Sequence, residues 1–237
     1  VQAVRDPRNH RYSHALGLHN LRKEVAKFYD RHYDVKLDPD AEILSTIGSK
    51  EGFSHLVLAL LDPGDVALVP TPAFPIHMYS VCIAGASTVS VPLSTPEQLL
   101  RDASTLVKNL YPKPKVLIAN FPHNPTTMTV EPEFMEDLAT FALQNDVFVI
   151  SDMAYGQTCF DGYRAPSFMQ TKHGKNVGVE FITMSKPYNM AGWRVGFCVG
   201  NRHAVSALAR VKGYFDYGLF QPVQIASIVA MRHCAED

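Results

Sequence analysis

Four short apolar runs in this chain each end on a polar, chemically able group, and this is the pattern that most restricts its fold. ILSTI leads into Gly48-Ser49-Lys50, VLIAN into His123-Asn124, VFVIS into Asp152, and EFIT into Ser185-Lys186. Short apolar runs separated by helix-periodic stretches describe βα units whose strands are covered on both faces. The expected fold is α/β, a three-layer αβα sandwich around a mostly parallel, mixed sheet. In open sheets of this kind ligands bind beyond the carboxyl ends of the strands. If the four strands are parallel neighbours, their terminal side chains meet along one edge.

The remaining elements follow from periodicity and punctuation. Asn20 is placed to cap a helix that carries Leu21, Val25, Phe28 and Tyr29 and fades by Asp34. Glu42 to Ile47 reads as a strand, and Gly48-Ser49-Lys50 opens a helix over Glu51 to Leu61 that stops at Asp62-Pro63-Gly64-Asp65. Strands follow at Val66 to Pro70 and Thr88 to Val91, around a helical segment from Ile76 to Ala84. Pro96 starts a helix reaching about Leu110, KVLIAN is a buried strand, and Glu131 to Gln144 is helical before the strand Val147 to Ser151. Val179 to Thr183 and a run from Val195 are strands, and helices over Ala204 to Phe215 and Val223 to Cys234 close the chain. With no repeat and no clear linker, residues 1–237 read as one domain.

Composition narrows the partner. A net charge of -1 without runs of like charge offers no footprint for nucleic acid or an anionic membrane, so a small molecule is the expected ligand. Cys82, Cys159, Cys198 and Cys234 are widely spaced and read as reduced, buried thiols of a cytoplasmic protein. No apolar stretch is long enough to span a bilayer, and the first residues are not a signal peptide. The start at Val1, in the polar, loop-like passage VQAVRDPRNHRYSHALG, reads as a cut from a longer chain. His10 and His14 have a metal-compatible spacing but lack a third ligand, so no metal is expected.

The segment FITMSKPYNMAGWRVGFCVG, Phe181 to Gly200, carries the chemistry. A lysine at the end of a buried strand can attack a carbonyl once burial and nearby cations lower its pKa. Arg194, eight residues after Lys186, can grip a phosphate with a fork of hydrogen bonds, and Thr183 and Ser185 supply hydroxyls. Together they suggest a ligand with an aldehyde and a phosphate. Taken alone, the segment is also an ordinary strand, a polar turn through Pro187 and Asn189, and a second strand. The other strand ends decide between these readings. Asp152 can hold a charge against a pyridine nitrogen, Tyr155 and Asn124 can donate to a ring hydroxyl, and Phe74 can stack on a ring. The N–H groups of Gly48 and Ser49, at a helix start, can bind the phosphate. A nucleotide P-loop does not fit there, because Ile43 stands where its earlier glycine belongs. Pyridoxal phosphate meets every requirement.

The motifs GSKEG, PHNPT, SDMAYG and TMSKPYNMAGWRVGF, in that order, resemble the fold type I pyridoxal phosphate aminotransferases of class I/II. The wording HRYSHALGLHNLR, FPIH, YPKPK and MAGWRVGF is most similar to bacterial alanine (glutamate-pyruvate) aminotransferases and LL-diaminopimelate aminotransferases. The resemblance implies that Lys186 forms the Schiff base with the cofactor, Asp152 pairs with the ring nitrogen, and Asn124 and Tyr155 meet the ring hydroxyl. It places Phe74 at the stacking position and Gly48, Ser49, Lys50, Thr183 or Ser185, and Arg194 at the phosphate. Tyr12 matches a tyrosine that reaches the phosphate of the other subunit, so a homodimer is implied. Thr183 replaces a serine and Phe74 a tyrosine common among such enzymes. The family's N-terminal arm and small domain are not matched, so the chain reads as the large domain truncated at both ends. The implied reaction is transamination between an L-amino acid, alanine favoured, and a 2-oxo acid such as 2-oxoglutarate. The alternatives are transamination of LL-diaminopimelate or another amino acid, a C–S lyase, or a non-catalytic regulatory or dimerisation domain.

Overall fold

In the computed structural model, which describes residues 1–234, seven strands form one sheet. They are β1 (Ile43–Thr46), β2 (Val66–Thr71), β3 (Ser87–Pro92), β4 (Val116–Asn120), β5 (Phe148–Asp152), β6 (Gly178–Thr183) and β7 (Gly196–Gly200), in the order β1-β7-β6-β5-β4-β2-β3. Only β7 runs against the rest, pairing antiparallel with both β6 and β1. The helices are α1 (Gln2–Arg5), α2 (His19–Tyr33), α3 (Gly48–Leu60), α4 (Pro75–Ile83), α5 (Pro96–Asn109), α6 (Pro132–Asn145), α7 (Gly174–Val177), α8 (Arg202–Phe215) and α9 (Gln221–His233).

The sheet divides two apolar cores, and the alternation of its side chains shows how. Leu117 and Ala119 of β4 pack with residues of α2, α5 and α6, whereas Val116 and Ile118 pack with α3, α4 and α8. β7 does the same, with Phe197 and Val199 on one side and Cys198 on the other. Because successive strand residues face opposite ways, a sheet buried on both faces requires continuous apolar runs. This is the expected three-layer sandwich.

The helix expected from Asn20 begins at His19, after Leu18, and no side chain caps it. The Leu18 N–H is instead accepted by Gln224 Oε1 of α9 at 2.7 Å, a contact 206 residues apart in sequence. The polar N-terminal passage is not all loop, because it holds α1 and a 3-10 turn over Pro7–His10. Asp6 caps that turn by accepting the Arg8 N–H at 3.0 Å. Neither element buries a side chain, so neither leaves an apolar period in the sequence. Among the described residues no helix is long and apolar enough to cross a membrane.

Candidate active site

The carboxyl ends of β4, β5 and β6 lie side by side, with Asn120 opposite Asp152 and Asp152 opposite Phe181. β1 does not join them directly as the strand-end pattern suggested, since β7 lies between it and β6. The antiparallel course of β7 restores the edge. It starts where the others end, with Gly196 opposite both Thr183 and Thr46. A Cβ on Gly196 would lie 2.5 Å from the Ser49 nitrogen, so a glycine here lets the start of α3 rest on the sheet.

A cavity of about 260 Å³ opens at this edge. Ser49 and Lys50 reach it from the start of α3, Phe74 from the entry to α4, and Asn124 from the loop after β4. Asp152 and Tyr155 reach it from the end of β5, and Thr183, Ser185, Lys186 and Arg194 from the turn between β6 and β7. Ten of the twelve residues singled out in the sequence therefore converge. Cavities of about 630 and 720 Å³ lie beside it, but neither gathers an amine, a carboxylate and phosphate donors together. Tyr12 lies elsewhere, 87% exposed and packed against Tyr217 with ring centroids 5.3 Å apart.

Gly48 sits beneath the cavity wall with φ +73°. A Cβ there would run into the Arg194 guanidinium, whose carbon would be 2.9 Å away. Arg194 is itself left-handed, φ 56°, and its Nη1 donates to the Ala191 carbonyl at 3.0 Å. Thus a glycine at 48 is needed twice, for the backbone turn and for the close approach of the cation.

Asp152 is 7% exposed and anchored on two sides. Its Oδ1 accepts the Ala154 N–H at 3.2 Å, and its Oδ2 lies 2.9 Å from His77 Nε2, which donates because a carboxylate can only accept. Asn120 ties the neighbouring loop down, donating to the Asp152 carbonyl at 2.8 Å and accepting the Asn124 N–H at 2.9 Å. Sequence reasoning assigned a role to neither His77 nor Asn120. The signals were there: His77 stands one helical turn after Phe74 within FPIH, and Asn120 is the polar end of an apolar run.

Lys186 departs from expectation. β6 ends at Thr183, so the lysine lies in the turn beyond and is exposed rather than buried at a strand end. Its Nζ stands 5.3 Å from the centroid of the Tyr155 ring. Thr183 and Ser185 are also unequal. Thr183 Oγ1 accepts the Ser185 N–H at 3.1 Å and has two acceptors for its single proton, the Val195 carbonyl at 3.1 Å and Ser185 Oγ at 2.9 Å. It braces the turn, leaving Ser185 as the hydroxyl with a proton to offer.

The donor set fits an aldehyde and phosphate cofactor with a pyridine ring. A guanidinium and a helix start face one another across Gly48, and a fixed carboxylate, an aromatic face and two hydrogen-bond donors occupy the rest of the cavity. Fold and site together define an αβα domain of the pyridoxal phosphate-dependent class. The chain belongs to the aminotransferase class I and II family, whose model matches residues 1–235. It is 48% identical over 234 residues to the glutamate-pyruvate aminotransferase AlaC of Escherichia coli, covering 98% of this chain and 57% of that protein. It is 42% identical over 231 residues to an LL-diaminopimelate aminotransferase of Halothermothrix orenii, covering 98% and 59%. Among solved structures, substrate-bound BacF from Bacillus subtilis superposes with a TM-score of 0.88 at 32% identity, over 98% of this chain and 58% of that one. The chain thus spans about three fifths of the length of these relatives.

Proposed function

We propose that this chain is the cofactor-binding large domain of a cytoplasmic, homodimeric aminotransferase that moves an amino group between an L-amino acid and a 2-oxo acid. The observation that carries the reading is the buried Asp152 carboxylate, fixed by His77, in one cavity with the open amine of Lys186. Pyridoxal phosphate, when bound, supplies the electron sink that makes an amino acid's α-proton removable. The residues of the chain divide the remaining work. Asp152 keeps a proton on the ring nitrogen, Asn124 and Tyr155 donate to the ring hydroxyl, and Phe74 covers the ring face. Ser185, Lys50, Arg194 and the N–H groups of Gly48 and Ser49 hold the phosphate. Lys186 would anchor the cofactor through its amine and would serve as the base for the substrate's α-proton. Tyr12, exposed on its own subunit, reaches the phosphate of the partner.

Alanine with 2-oxoglutarate is the leading substrate pair, supported by the likeness to AlaC. The likeness to LL-diaminopimelate aminotransferases supports that substrate as the second reading. Borohydride reduction of the protein loaded with pyridoxal phosphate, followed by peptide mapping, is expected to mark Lys186. A mark on another lysine, or none, overturns the assignment. In the full chain with 2-oxoglutarate, alanine is expected to outpace LL-diaminopimelate and unrelated donors, and the reverse order rejects the alanine reading.

A further inference from the structure

The start of α3 has a second set of charges, none of which lines the cavity. Lys212 of α8 is fully buried, and its Nζ donates to both Glu51 oxygens at 3.0 Å and to Asp216 Oδ2 at 2.9 Å. Three protons meet three oxygens, so the ammonium is saturated. Glu51 lies in the first turn of α3, and its Oε2 also accepts the N–H of Ile47, the residue before Gly48, at 2.7 Å. His55, one turn further along α3, sits against the same carboxylate. Glu51, His55 and Asp216 are spaced as metal ligands, but Lys212 Nζ already bonds to two of the three.

This arrangement answers a conflict within α3. A helix start attracts anions through its free N–H groups and its dipole. Glu51 is an anion in that same turn and has taken one of the N–H groups bordering the turn, so it competes with a phosphate for the same positive potential. Held in place but uncompensated, it would oppose a second anion a few residues away in surroundings that screen charge poorly. Lys212 offsets it from the protein side, sharing its one charge between Glu51 and Asp216, without an atom in the cavity.

We propose that Lys212 is a positioning residue for the cofactor phosphate: by offsetting the charge of Glu51 and holding it on the Ile47 N–H, it keeps the start of α3 ordered and favourable toward the anion. The inference rests on the phosphate assignment made above. The test compares pyridoxal phosphate with pyridoxal, which lacks the phosphate, by equilibrium titration of the apoprotein form of the full chain. Lys212→Met is expected to weaken pyridoxal phosphate about tenfold and leave pyridoxal unchanged. Adding Glu51→Gln, which keeps an acceptor for Ile47 but removes the charge, is expected to restore most of the loss. Equal weakening of both ligands, or no restoration, overturns the proposal. If Lys212→Met does not fold, Glu51→Gln alone decides. It is expected to tighten pyridoxal phosphate severalfold relative to pyridoxal, and no gain rejects the electrostatic role. A wild-type protein with no preference for the phosphorylated ligand would instead sink the phosphate assignment itself.

Discussion

His77 Nε2 lies 2.9 Å from Asp152 Oδ2, and both residues are nearly excluded from solvent. The two are 75 residues apart in sequence, yet the first turn of α4 delivers His77 beside Phe74, whose ring meets the imidazole edge-on at 5.8 Å. One helix start thereby brings an aromatic ring to the cavity and steadies the Asp152 carboxylate within it. His77→Ala leaves Asp152 buried with a single N–H partner. The expected result is a fall in kcat of roughly 10- to 100-fold, the cost of an unsatisfied buried charge. Steady-state kinetics with saturating pyridoxal phosphate check it, and His77→Asn, which keeps a donor, is expected to recover part of the loss.

Gly48→Ala is expected to weaken pyridoxal phosphate by more than tenfold. The new methyl group strikes the Arg194 guanidinium, and the residue must hold φ +73° at a cost of about 1–2 kcal/mol. Cofactor titration measures the first effect and thermal unfolding the second. Retention of wild-type affinity would mean that Arg194 can move aside without consequence.

Glu180 is a carboxyl group in the middle of a buried strand, and four donors surround it. Tyr29 Oη, Ser167 Oγ and the Phe168 N–H donate at 2.8, 2.6 and 2.8 Å, and Ser151 Oγ at 3.3 Å. Glu180→Leu removes their shared acceptor and is expected to cost about 2–4 kcal/mol in denaturant unfolding. Burial outweighs these bonds and raises the carboxyl pKa above the ordinary 4.5. The native state therefore keeps its proton to higher pH than the unfolded chain, and this contribution falls as pH rises from 4.5 through the raised value. The Leu variant should lose that part of the pH dependence.

Glu24 shows the opposite sign. Arg232 of α9 donates to its Oε1 at 2.6 Å, and this bond holds the carboxyl below 4.5. The stabilisation is complete above 4.5 and is lost as pH falls through the lowered value. Acid titration followed by circular dichroism should show α9 loosening from α2, with a shallower acid slope in Glu24→Gln. An unchanged slope would assign the acid sensitivity to other carboxylates.

Much of the site was legible because its parts are local. Asp152 directly follows the apolar run VFVIS, Asn124 lies four residues past the end of β4, and the spacing from Lys186 to Arg194 lies within a single turn between strands. The pairs that hold those parts in place were not legible. His77 with Asp152 and Lys212 with Glu51 are 75 and 161 residues apart, and each looks by itself like an ordinary polar residue on a helix or at a strand end.

The sequence by itself determined the layers of this protein and the chemical identity of its strand ends, because continuous apolar runs and helical periodicity are written residue by residue. It did not determine which strands are neighbours, since an apolar run carries no label for its partner. Only the tertiary structure placed β7 between β1 and β6, put Gly196 under the start of α3 and left Lys186 exposed past the end of β6. Those outcomes depend on chain direction and on side chains that meet across the fold, and both are decided when the layers pack.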